Sequence, residues 1–278
     1  HLETDFLRRG IHEIAHAVLL AGGDDEIVGL VLLEHHPLHA DVVPGVTPVP
    51  PGVQVAEVQG LLQAQLNARE RPRFQGRSAY FLNDLGVAMI FPNVRGSFGF
   101  GREFEHLDDG PLRENSVKDI GALLDWIGQQ PYLDKTRIAV TGASYGGYMT
   151  YAVAERYTDR IRCAFASAGI SDFQTYLEST DLQRLSNRRA EYGDETDPAM
   201  REVLKRMSPV TNASKIRVPL MIMHGRKDTR VPVAQAENMA SVVRANNVPV
   251  WTMIFEDEGH ELPSTNANNN FYFYSWMM

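Results

Sequence analysis

The sequence predicts an α/β fold, a mostly parallel sheet with helices on both faces. Two observations carry that expectation. Short apolar runs bounded by turn residues recur at 87–91, 137–141, 164–168, 219–223 and 250–255, the length of buried strands. Helical stretches of amphipathic pattern alternate with them, notably at 116–129 and 232–246. Parallel strands need crossover helices, and strands buried on both faces need two covering layers.

Bulk properties bound the function classes. A length of 278 residues suits one large α/β domain, or one domain with an extension. The formal charge of -8 argues against nucleic acid or an anionic membrane surface as the main partner. A single cysteine, Cys163, excludes an intrachain disulfide, so no oxidising compartment is demanded. In its apolar run it reads as a small buried hydrophobe. No apolar run is long enough for a membrane span, and no basic-then-apolar leader is visible. The first residue is His1 rather than Met, which leaves the natural amino terminus open, so the compartment stays open with cytoplasm as the default.

Residues 1–71 form an atypical segment. A helix is expected over 4–20, where Phe6, Leu7, Ile11, Ile14, Ala15 and Val18 recur at helical spacing, and Gly22-Gly23 ends it. A strand follows at 27–33, then a proline-rich piece at 37–51 and a helical stretch at 55–67. His12-Glu13-Ile14-Ala15-His16 places two imidazoles one helical turn apart with a glutamate between them, the pattern of a zinc peptidase. Glu34, His35, His36 and His39 are loosely placed candidates for a third ligand. The plainer reading is polar positions on an amphipathic helix, since nothing else in the chain is arranged to serve a zinc ion.

From residue 73 the pattern becomes regular. A helix is expected over 74–83, a strand over 87–91 and a glycine-rich turn at 95–101, without the strand-to-helix spacing of a dinucleotide site. The helix at 116–129 has Ser116 as cap and Ile120, Leu123, Leu124 and Ile127 on its inner face. The strand 137–141 runs into Gly142-Ala143-Ser144-Tyr145-Gly146, a G-x-S-x-G, with a helix opening at Gly147. That strand–turn–helix context defines a nucleophile elbow. The turn forces its serine into strained angles, and flanking glycines let strand and helix pass it. Ser144 Oγ then stands at the sheet's carboxyl edge, with the Tyr145 backbone N–H facing the place of an oxyanion.

After the strand at 164–168, residues 171–214 form a polar helical excursion anchored by Tyr176, Leu177, Leu182, Leu185 and Tyr192, the position of a lid or pocket wall. The strand 219–223 leads to Asp228, and the strand 250–255 leads to His260. A final helix is expected over 268–278. Ser144, Asp228 and His260 thus fall at strand ends in the order Ser, Asp, His, as in the α/β-hydrolase fold. A serine hydroxyl needs a base within hydrogen-bond reach, and an imidazole titrates in the right range. The aspartate would fix its tautomer. Each has a plainer reading: Asp228 as cap of the loop before residue 232, Asp257 or Glu258 as the histidine's partner, His260 as a surface histidine.

The stretches PNVRGSFGFGREF (92–104), DIGALLDWI (119–127), RIAVTGASYGGYM (137–149), SPVTNASKIRVPLMIMHGRKDTRVPVAQA (208–236) and EDEGHEL (256–262) together resemble the catalytic domain of the prolyl oligopeptidase family. The acylaminoacyl-peptidase and dipeptidyl-peptidase branches are nearest, and the resemblance covers about residues 73–278. It implies cleavage of short peptides or acyl-peptides through an acyl-enzyme on Ser144, with Asp228 and His260. It implies no metal or organic cofactor, and it is compatible with a homodimer without fixing the oligomeric state.

Two departures stand out. The family's His-Gly-Gly-Pro turn, which helps build the oxyanion hole, has no counterpart before the first matching helix, where Arg69-Glu70-Arg71-Pro72 stands. The second oxyanion donor is therefore unassigned, and losing one donor costs roughly a hundredfold or more in turnover. No β-propeller sequence precedes the matching region, so Ser144 is expected to be open to solvent and small esters become reasonable substrates. A carboxylesterase on the same triad is the second reading. A non-catalytic hydrolase-fold binding protein and a zinc peptidase on His12 and His16 are readings of other classes.

Overall fold

A computed structural model describes residues 28–33, 87–90, 92–97, 100–131 and 133–261. The expected helices at 4–20, 55–67, 74–83 and 268–278, and the His12–His16 motif with its candidate third ligands, lie outside these residues.

Among the described residues six strands form one sheet: β1 (Val28–Leu33), β2 (Val87–Ile90), β3 (Ile138–Ala143), β4 (Cys163–Ser167), β5 (Leu220–Gly225) and β6 (Val250–Phe255), in the order β2-β1-β3-β4-β5-β6. From β3 to β6 every pairing is parallel, with Thr141 opposite Phe165, Ala166 opposite Ile222 and Met223 opposite Met253. β1 runs antiparallel to both of its neighbours, with Leu30 opposite Ile90 on one side and Val140 on the other. The parallel half thus carries the carboxyl ends of β3, β5 and β6 to one rim.

Helices flank this sheet. α1 (Glu114–Ile127) buries Val117, Ile120, Leu123, Leu124 and Ile127, a stripe at helical spacing. It begins two residues before the expected start, and Ser116 is not its cap. The Ser116 hydroxyl instead donates to the Arg113 carbonyl at 2.7 Å, from inside the first turn. α2 (Tyr145–Arg156) follows β3 and packs on β3 and β4. Every residue from Tyr145 to Ala154 is buried, which is why its sequence shows no polar face.

The excursion after β4 holds α3 (Phe173–Ser179), α4 (Leu182–Tyr192) and α5 (Pro198–Met207). Each starts at an aspartate whose side chain accepts first-turn N–H groups: Asp172 from Gln174 and Thr175, Asp181 from Gln183 and Arg184, Asp197 from Ala199. Tyr176, Leu177 and Tyr192 anchor the excursion in the core, and Leu185 packs partly against it. Leu182 does not, being 87% exposed: as the first residue of α4 it points away from the face that Tyr192 buries. Cys163 is half-buried rather than buried, because it opens β4 at the sheet's margin. α6 (Ala234–Ala245) covers β5 and β6. Among the described residues no helix is long and apolar enough to cross a membrane.

Candidate active site

The link from β3 to α2 is the sharp turn that the G-x-S-x-G pattern implies. Ser144 has φ 54 and ψ -117, a region that residues with a side chain avoid. The neighbours hold it there. Its N–H donates to the Ser167 carbonyl at 2.9 Å, and its own carbonyl accepts the N–H of Tyr148 at 3.1 Å. α2 can lie so close because Gly147 has no side chain, since a Cβ there would stand 2.5 Å from Gly169 Cα. Tyr145 is the first helical residue, so its N–H is one of those that have no acceptor inside the helix.

His260 arrives on the loop after β6. Two main-chain bonds join this loop to the one after β5: Arg226 N–H to the Phe255 carbonyl at 2.8 Å and Lys227 N–H to that of Glu258 at 2.9 Å. The ring of His260 bridges the other two residues. Ser144 Oγ lies 2.9 Å from its Nε2, and Asp228 Oδ2 lies 2.7 Å from its Nδ1. A carboxylate can only accept, so Nδ1 carries the hydrogen and Nε2 presents a lone pair to the serine hydroxyl. Ser144 is 6% exposed, more covered than the sequence suggested, because the imidazole lies on its oxygen.

Asp228 does two jobs at once. Its Oδ1 accepts the N–H groups of Arg230 at 2.8 Å and Val231 at 2.9 Å, so it caps the loop before α6. Its Oδ2 faces His260 and also lies 3.2 Å from His224 Nε2. Burial pushes its pKa up, but the hydrogen bonds of His224 and His260, the charge of His260 and the Val231 N–H outweigh that and hold it well below the usual carboxylate range. Asp257, the alternative partner, is paired with Lys227 at 2.7 Å, and Glu258 is buried in the same turn.

Sequence reasoning passed over His224, the fully buried penultimate residue of β5, whose Nε2 also lies 2.8 Å from the Val231 carbonyl. It passed over the aromatic packing between α2 and the excursion as well. Tyr148 meets Phe173 edge-on at 4.8 Å, and Phe173 and Tyr176 both contact the ring of Tyr192. Arg69-Glu70-Arg71-Pro72, where a second oxyanion donor was sought, lies outside the described residues. Among those residues no group of three His, Cys, Asp or Glu is placed to hold a metal ion.

Comparison with known proteins agrees with this architecture. Dipeptidyl aminopeptidase BIII of Pseudoxanthomonas mexicana is 30% identical over 210 residues, 73% of this chain and 30% of that protein. Acylamino-acid-releasing enzyme 2 of Oryza sativa is 26% identical over 193 residues, 67% of this chain and 25% of the relative. The acylaminoacyl peptidase of Pyrococcus horikoshii superimposes with a TM-score of 0.66 at 23% identity, over 76% of this chain and 34% of that one. The chain therefore spans about a quarter to a third of the length of these relatives. The family model for the prolyl oligopeptidase family matches residues 72–277, across the elbow, the excursion and both loops that meet at the imidazole, and the chain belongs to that family.

Proposed function

We propose that this chain is a serine hydrolase that cleaves short peptides or acyl-peptides through an acyl-enzyme on Ser144. The observation that carries the reading is the unbroken hydrogen-bonded line from Ser144 Oγ through the His260 ring to Asp228, with spacings of 2.9 and 2.7 Å. In the first half-reaction Ser144 Oγ attacks the scissile carbonyl carbon while His260 Nε2 takes the hydroxyl proton. The carbonyl oxygen gains the negative charge, opposite the Tyr145 N–H. Collapse of this intermediate breaks the bond to the leaving amine, which takes the proton back from His260. Water then repeats the sequence on the ester, with His260 again as base, and frees the acid and Ser144. Asp228 fixes the histidine tautomer and stabilises the imidazolium.

On this reading residues 72–278 are the catalytic domain, and 171–214 is a wall or lid over the substrate. The test is labelling with a fluorophosphonate probe, expected at Ser144 in the wild type and absent in Ser144→Ala. A folded wild type that fails to label would sink the reading. Turnover of an aminoacyl-anilide beside a short acyl p-nitrophenyl ester settles the substrate class. Anilide cleavage supports the peptidase, whereas ester cleavage alone makes the protein a carboxylesterase.

A further inference from the structure

Beside the elbow lies a buried charged cluster that the mechanism above leaves without a role. Asp108 and Arg113 are each 2% exposed, and Arg113 Nη1 donates to Asp108 Oδ2 at 2.7 Å. The Tyr145 hydroxyl donates to the same carboxylate oxygen at 2.9 Å and lies 3.0 Å from Ser116 Oγ. The Arg113 guanidinium stands over two rings, 5.0 Å from the centre of Tyr145 and 4.7 Å from that of Tyr192. Its Nη2 donates to the Glu191 carbonyl at 2.9 Å, in the last turn of α4. On the far side Asp108 fills the space over Gly96, where φ is 93 and a Cβ would stand 2.0 Å from Oδ1. Five pieces of chain therefore meet on one ion pair: the turn after β2, the turn before α1, α1 itself, the first residue of α2 and the end of α4.

Stability gives little reason for such a pair. Removing two charges from water costs several kcal/mol for each ion, and apolar replacements of buried pairs are often neutral or better. An arginine at the start of α1 also opposes the helix dipole. Burial pushes the Asp108 carboxyl up to about 6 even with Arg113 and the Tyr145 hydroxyl drawing it down, a measure of how dry the site is. What the pair does hold is Tyr145, the residue that follows Ser144.

We propose that Asp108 and Arg113 are positioning residues that clamp the Tyr145 side chain, so that its N–H is aimed at the oxyanion before substrate arrives, and that tie this aim to the segment 171–214 through Glu191 and Tyr192. The inference rests on the reading of Ser144 and Tyr145 given above. A donor fixed in advance needs no reorganisation during reaction, and a displacement of about 1 Å costs on the order of a hundredfold in rate. With only one donor assigned, its aim matters more.

The experiment uses the whole 278-residue chain with Tyr145→Phe, Arg113→Lys and Asp108→Asn. It measures kcat and KM on an acyl p-nitrophenyl ester, the rate of phosphonylation by a fluorophosphonate, and Tm. Tyr145→Phe removes one oxygen and leaves the ion pair, so the variant stays folded even if Asp108→Asn does not. Arg113→Lys keeps the charge but loses the fork that reaches both Asp108 and Glu191. Tyr145→Phe and Arg113→Lys are each expected to lower kcat about 10- to 100-fold with KM within about threefold, and to slow phosphonylation in parallel. A lower Tm with unchanged kcat and phosphonylation would make the cluster merely structural and overturn the proposal. A rise in KM alone would do the same. Wild type that fails to label at Ser144 overturns the underlying reading and this one with it, whereas wild type and variants that label equally fast overturn only this one.

Discussion

His224 Nε2 lies 3.2 Å from Asp228 Oδ2, the carboxylate oxygen that His260 Nδ1 meets at 2.7 Å. The two histidines therefore share one acceptor, one from inside the core and one from the site. His224 also reaches the Val231 carbonyl at 2.8 Å, so it pins both ends of the loop that presents Asp228. His224→Ala removes a fully buried ring and leaves that carbonyl without this donor, for an expected loss of about 2–4 kcal/mol in urea unfolding. With the carboxylate less firmly held, kcat is expected to fall roughly tenfold with little change in KM. Unchanged kcat in the destabilised variant would reduce His224 to core packing.

Asp228 also sets a pH dependence of stability. Its pKa is lower in the folded state than in the unfolded chain, because His224, His260 and the Val231 N–H outweigh its burial. A depressed folded value means that the stabilisation is complete above the unfolded pKa of about 3.9 and is lost as pH falls below it. Wild type is therefore expected to lose more stability between pH 5 and pH 2 than Asp228→Asn does. Denaturant unfolding across that range checks it. Equal slopes for the two proteins would mean that the carboxylate is not held as the geometry implies.

Cys163 offers a probe that needs no engineering, as the chain has one cysteine. Burial raises its thiol pKa and outweighs the opposing pull of Arg162. Less thiolate is present at neutral pH, and access is partial. Alkylation by iodoacetamide at pH 7.5 is expected to run about tenfold or more slower in the native protein than in urea. Equal rates would mean that the start of β4 is open to solvent.

The chain announced some parts of this structure better than others. β3 and β5 were legible because buried parallel strands are short, largely apolar and bounded by turn residues, and β6 shares the apolar run although it ends the strand order with Trp251 60% exposed. Ser144, Asp228 and His260 were legible because glycines and charged residues gather where those strands end. The start of α1 was not, because Ser116 looks like a cap but turns its hydroxyl back to the Arg113 carbonyl. Leu182 was misleading, since an apolar residue at the first position of a helix need not face its buried side. The Asp108–Arg113 pair was invisible, because its partners lie 37 and 78 residues away along the chain, at Tyr145 and Glu191. One clue existed: an arginine just before a helix start, where the dipole disfavours it. His224 had no signal beyond its place at a strand end.

The approach of the two loops that join Asp228 to His260 depends on Gly225. A Cβ at this last residue of β5 would stand 2.2 Å from the Gly259 carbonyl oxygen and 2.5 Å from that of Glu258. Both are main-chain atoms of the segment that carries His260, so no side chain can rotate aside to make room. Gly225→Ala must therefore push residues 258–260 outward, against the bond from the Lys227 N–H to the Glu258 carbonyl. A shift of about 1 Å at the imidazole is expected to lower kcat on the order of a hundredfold, and overpacking to cost about 1–3 kcal/mol. Gly128→Ala is the matched control. That glycine has helical angles of φ -61 and ψ -15, and the nearest atom to an added Cβ would be 3.4 Å away. The control is expected to keep full turnover and to gain up to about 1 kcal/mol by restricting the unfolded chain. If Gly225→Ala turned over as fast as Gly128→Ala, the placement of His260 would not depend on this close main-chain contact.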